Sequence, residues 1–153
     1  MAVETWGVDV EDLAMTLRSA KGLDEDVAEQ AIEEMAGEIG GVLLIMRIDP
    51  AAITEADFPT DRVVLQRLLR AGAAANYVYK ATGSTKGAEA HSTFYREKLA
   101  DLSRNPNQLV IYARRTGVNM VTTHSTAGNQ SSSLTAAYRA DLDGFINPNR
   151  WLM

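Results

Sequence analysis

No cysteine occurs among the 153 residues, which excludes disulfides, thiolate nucleophiles and cysteine-ligated metal sites. Histidine is nearly as scarce. His91 and His124 are the only two, they fall on different predicted elements, and neither has an acidic pair at metal-ligand spacing. Long hydrophobic runs are also missing. The longest, Val42 to Met46, is far too short to cross a bilayer, and the first residues lack the basic-then-apolar pattern of a signal peptide. A soluble intracellular chain with no membrane partner is the expectation.

Motifs for covalent or phosphate chemistry are missing too. Gly83-Ser84-Thr85-Lys86-Gly87 lacks the spacing GxxxxGK[ST], and Ser131–Ser133 is no nucleophile elbow. The carboxylate groups Asp9/Glu11/Asp12, Asp24/Glu25/Asp26 and Glu33/Glu34 sit at predicted helix starts or outward faces, where capping and solvation account for them. No enzymatic activity, cofactor or metal is expected.

Positive charge is depleted from one half. Residues 1–59 carry 14 acidic and 3 basic side chains, a net of −11, while residues 60–153 carry 6 acidic and 12 basic, a net of +6. A chain divided in this way can set the acidic surface of one copy against the basic surface of the next, as in a head-to-tail ring. Solvated acidic faces on the first two helices would produce the same division.

What is present is helical. The hydrophobic share of 46% suits one domain with a real core. Asp9, with Asp12 three residues on, predicts the start of a first helix carrying Val10, Leu13, Ala14 and Leu17. Asp24 caps a predicted second helix over residues 24–46, in which Gly37, Gly40 and Gly41 suggest a close crossing, a kink or an early stop. The organising stretch is TDRVVLQRLLRAGAAANYVYKAT, residues 60–82. It has one continuous apolar side, Thr60 at the N-cap, Asp61 in the first turn and Gly83 past the end. A fourth helix is expected over residues 88–103, ending before Asn105-Pro106. Residues 1–106 thus read as a helical bundle domain.

The remaining chain differs. Gln108–Arg115 and Val118–His124 around Thr116-Gly117 predict a β-hairpin within residues 107–124. Residues 125–153 form a polar linker and a C-terminal tail. Arg114 and Arg115 at the hairpin tip, with Arg104, are candidate nucleic-acid contacts, but no basic and aromatic groove accompanies them. Arg150 and Trp151 are interface-type residues at the end of a polar segment, suited either to docking on a partner or to folding back on the bundle. The predicted class is mainly α: a four-helix bundle with a candidate β-hairpin and an extended C-terminal tail.

Two acidic helices, a small-residue-rich third helix (LLRAGAAANYVYKATGS), a fourth helix HSTFYREKLADLSRNP and a polar tail resemble the head-to-tail adaptor, or connector, proteins of tailed bacteriophages. The resemblance covers residues 9–106 in architecture and the remainder in character. It implies a protein that is a monomer alone and forms a dodecameric ring under the portal protein. That ring joins capsid to tail and lets DNA pass without specific binding. It implies location in the virion neck, and in the host cytoplasm during assembly. Phe145, Ile146, Asn147, Pro148, Asn149, Arg150, Trp151, Leu152 and Met153 would dock on the portal. Residues 108–124, with Tyr112, Arg114 and Arg115, would reach a neighbour or a tail or neck component. The acidic first and second helices would either meet Arg62, Arg67, Arg70 and Arg96 of an adjacent copy or line the channel. A head- or tail-completion protein, and a small helical regulator binding DNA or a partner, remain alternative readings.

Overall fold

Carboxylates open the first two helices. Asp9 accepts a hydrogen bond from the Asp12 amide at 3.0 Å, and Asp12 accepts one from the Asp9 amide at 3.2 Å. This reciprocal cap starts α1 (Val10–Leu17), which closes at Arg18 in the left-handed conformation. Asp24 caps α2 (Glu25–Ile45) by accepting from the Val27 amide at 3.2 Å. Its own amide donates to the Tyr77 hydroxyl at 3.0 Å, tying the head of α2 to the last turns of α3 (Pro59–Thr82).

The further elements are α4 (Glu89–Arg104) and α5 (Val110–Thr116), with 3-10 turns at Pro50–Ala52 and Pro106–Gln108. The computed structural model describes residues 2–116. One compact unit extends to Tyr112 and a second begins at Ala113. Among the described residues all regular structure is helical, in keeping with the mainly α class.

α3 packs against α1, α2 and α4, as its length and apolar side require. Leu65, Leu68, Leu69 and the small run Ala71–Ala75 are buried along it. Leu13, Ile39, Leu43, Ile48 and Ile53 complete a core that also takes in Trp6 from the lead-in. Trp6 is fixed by polar contacts at both ends. Its indole donates to the Pro50 carbonyl at 3.1 Å, and its own carbonyl accepts from the Gln66 amide group at 2.8 Å. The glycines of α2 do not end it, and the helix runs unbroken to Ile45.

The α3–α4 crossing leaves no room for a side chain at its centre. A Cβ on Gly72 would lie 2.6 Å from ring carbon Cδ1 of Tyr95, so the ring rests directly on the α3 backbone. Beyond the crossing, the Tyr95 hydroxyl donates to Glu38 of α2. Burial, and then the nearby carboxylate, push the phenol pKa upward. One side chain therefore links three helices.

Two expectations are overturned. Pro59, not Thr60, opens α3, because its fixed φ and missing N–H suit the first helical position. Thr60 lies exposed inside the first turn and Phe58 holds the cap position without a side-chain bond. The strand expected over Gln108–Arg115 is instead the end of a 3-10 turn followed by α5. Asp61 supplies the reason. Fully buried, it accepts from the amides of Val110 at 2.8 Å and Ile111 at 2.9 Å, one on each carboxylate oxygen. These amides head a helix and have no partner inside it. The long-range cap outweighs a strand preference of about 1 kcal/mol or less at Val110, Ile111 and Tyr112. The second expected strand, Val118–His124, lies outside the described residues.

Gly72→Ala is expected to lower unfolding free energy by about 1–3 kcal/mol through overpacking, read as a lower urea midpoint. An unchanged midpoint would mean that the ring moves aside freely. Asp61→Ala should cost about 3 kcal/mol, since it strands two part-buried amides. Hydrogen exchange at Val110 and Ile111 should accelerate with it, and Asp61→Asn, which keeps one carbonyl acceptor, should cost less.

Candidate functional site

The anti-core side of the α3–α4 pair carries a groove with an apolar floor and basic edges. One stretch, about 200 Å³ in volume, is lined by Val64, Arg67, Leu68, Phe94, Lys98 and Leu102, with Gln108 at its end. A second, of about 390 Å³, lies where α1 meets the pair and is lined by Thr16, Arg67, Arg70, Ala71, His91 and Phe94 among others. Arg67 and Phe94 line both, so the two stretches adjoin at these side chains. The lining follows from helical spacing. His91, Phe94, Lys98 and Leu102 recur every three or four residues on α4, and Val64, Arg67, Leu68 and Ala71 do so on α3.

Arg70 and His91 line only the stretch near α1, Val64, Leu68, Lys98 and Leu102 line only the other, and Arg67 lines both, so cationic side chains edge the apolar floor in each. Arg70 lies 3.6 Å from Asp12 of α1, longer than a hydrogen bond. Its Nε is buried and has no acceptor among the described residues.

The acidic counterpart is the outer face of α2. Asp26, Gln30, Glu33, Gly37 and Gly41 are exposed along it, followed by Leu44 at 62% exposure. Ile45, at 82%, adjoins this stripe. Glu34, on the flank, accepts from Lys80 at 3.0 Å and Asn76 at 3.1 Å. These bonds, Asn76 first, hold its carboxyl below the usual range. Glu34 thus serves the α2–α3 contact, while Asp26 and Glu33 point away from the core.

Of the arginines read from the sequence as one basic surface, the structure brings only Arg67 and Arg70 into the groove. Arg62 folds back on the lead-in, where its Nη2 would lie 2.8 Å from a Cβ on Gly7. Arg96 lies on a shallow surface of α4 with Glu97, Asp101 and Arg104. Tyr112, Arg114 and Arg115 are on α5 instead of a hairpin, with Tyr112 half-buried against the core and both arginines in the last turn. Phe145 to Met153 lie outside the described residues. Lys98, His91 and Phe94 were not read as site residues. Their three- and four-residue spacing on α4 is the signal that could have found them.

Among the described residues no cluster of three or more His, Cys, Asp or Glu side chains is placed to hold a metal, and no helix is long and apolar enough to cross a membrane. The groove combines an apolar floor with Arg67, Arg70 and Lys98 along its length. No protein-family model, curated protein or solved structure matches the chain.

Proposed function

We propose that the chain is a structural, non-enzymatic head-to-tail adaptor of a bacteriophage neck. Copies form a ring, dodecameric by resemblance to connector proteins, beneath the portal protein. α1 to α4 act as a four-helix bundle in its wall, and DNA passes through the lumen. The observation that carries the reading is the pairing, on one small helical unit, of an acidic outer helix face with a basic and apolar groove. A part that repeats around an axis needs two unlike surfaces of this kind.

The charge balance suits the role. A lumen wall with net negative charge lets DNA slide, because affinity for the duplex comes largely from cations on phosphate. Each contact between copies is weak, and a preformed portal raises the effective concentration of bound subunits, so the protein is a monomer in dilute solution and a ring on the portal. The C-terminal residues Phe145–Met153, with Trp151 and Leu152 as anchors, dock on the portal. Arg114 and Arg115 face a tail or neck component.

The groove also supports a second reading, a small regulator that binds a partner or DNA through Arg67, Arg70 and Phe94. Co-sedimentation with the portal encoded in the same genome separates the two, using the full chain and a version ending at Gly144. Full-length binding in portal-like copy number, lost on truncation, is the expected result. Binding by both forms would remove the tail from the docking role. Binding by neither, together with salt-dependent binding to duplex DNA, would favour the regulator.

A further inference from the structure

We infer that the stretch of the groove where α1 meets the α3–α4 pair binds a small phosphate ester. The phosphate lies among Arg67, Arg70 and His91, and the organic group lies against Phe94. The inference goes beyond the neck reading and does not rest on it.

Charge points to an anion. The chain is acidic overall, with a net charge of −5, yet no carboxylate lines this stretch, while two guanidinium groups and an imidazole do. Arg67 and Arg70 stand one turn apart on α3, where like charges repel. His91, in the first turn of α4, lines the same space from a second helix. The carboxylate beside Arg70 is committed elsewhere. Oδ2 of Asp12 accepts from the Asp9 amide in the α1 cap, and its Oδ1 stands 3.6 Å from Arg70 Nη2, longer than a hydrogen bond. The Thr16 hydroxyl donates to the Asp12 carbonyl at 2.8 Å, so the donors for a ligand come from α3 and α4. A carboxylate brings one charge and suits one guanidinium fork. A phosphate monoester brings nearly two charges and three acceptor oxygens, enough to engage both arginines.

Space points to an ester and not a bare ion. Ala71 and Ala90 put only methyl groups on the wall, and the stretch holds about 390 Å³, more than one phosphate fills. At Arg67 and Phe94 it adjoins the stretch of about 200 Å³ floored by Leu68 and Leu102. Volumes of this order suit a small organic ligand. Phe94 is only half-buried, which leaves part of its ring open to an aromatic or apolar group carried by the phosphate.

Titration of the full chain with inorganic phosphate and with phenyl phosphate, followed by amide NMR shifts, tests the site. The expected result is saturable shifts centred on Arg67, Arg70, Ala90 and His91, with phenyl phosphate bound about tenfold more tightly than inorganic phosphate. Arg67→Gln should weaken phenyl phosphate binding about tenfold, and Arg67→Lys, which keeps the charge but loses the planar fork, by less. Arg67 is exposed, and circular dichroism checks that both variants are folded. Arg96→Gln, on a separate surface of α4, should leave the affinity unchanged. Shifts that climb without saturating, equal affinity for the two probes, or wild-type binding by Arg67→Gln would each overturn the assignment. A short DNA duplex that saturates the same residues more tightly than phenyl phosphate would also overturn it, giving the site to a nucleic-acid backbone. Binding is read on the chain alone, so its failure leaves portal co-sedimentation as it stands, and a failure of portal binding leaves this site.

Discussion

The described fold depends on a ring lying flat against a backbone. Tyr95 can occupy its position only because residue 72 has no side chain, and from there its hydroxyl reaches Glu38 on α2. α3 is thereby held between α2 and α4 at a separation that larger residues would not permit. Ala71, Ala73, Ala74 and Ala75 are buried on either side of that point. A run of small residues in a long helix normally forfeits hydrophobic burial. Here the loss is offset by the packing of an aromatic ring against main chain and by a hydrogen bond that joins the outer helices.

That crossing also positions the recognition surfaces. Tyr95 points inward, so His91, Phe94, Lys98 and Leu102 on the adjacent stripe of α4 are left to line the groove with α3. On α2, the inward residues Ile32, Ile39 and Leu43 are buried, which leaves Asp26, Glu33, Gly37, Gly41 and Leu44 facing outward. The imbalance of charge between the two halves of the chain therefore becomes an imbalance between two surfaces. On the proposed reading, contacts between copies would come from the complementary shape and charge of these two surfaces.

Much of this was legible in the residues themselves. Asp9, Asp24 and Gly83 mark helix ends by local rules, and local rules were sufficient. The small run at residues 71–75 is the sequence mark of the α3–α4 close approach, with Gly72 under the Tyr95 ring. The failures share a cause. Thr60 carries the hydroxyl of an N-cap and Pro59 beside it the fixed φ of a first helical residue, and only the second of these local signals is used. Val110-Ile111-Tyr112 read as strand because nothing nearby in sequence reveals that Asp61 caps them. The basic surface was legible as charge but not as geometry, since only packing shows that Arg62 turns back toward Gly7 and that Arg67 opens into a groove.

The central claim is that the acidic and basic surfaces of this chain are made for each other across copies. Sedimentation equilibrium of the full chain at its highest soluble concentration, over a series of ionic strengths, tests it most directly. The account predicts weak association that declines steadily as salt screens the contact between the two surfaces. Association that is indifferent to salt or strengthened by it, or a monomer at low and high salt alike, would contradict the account.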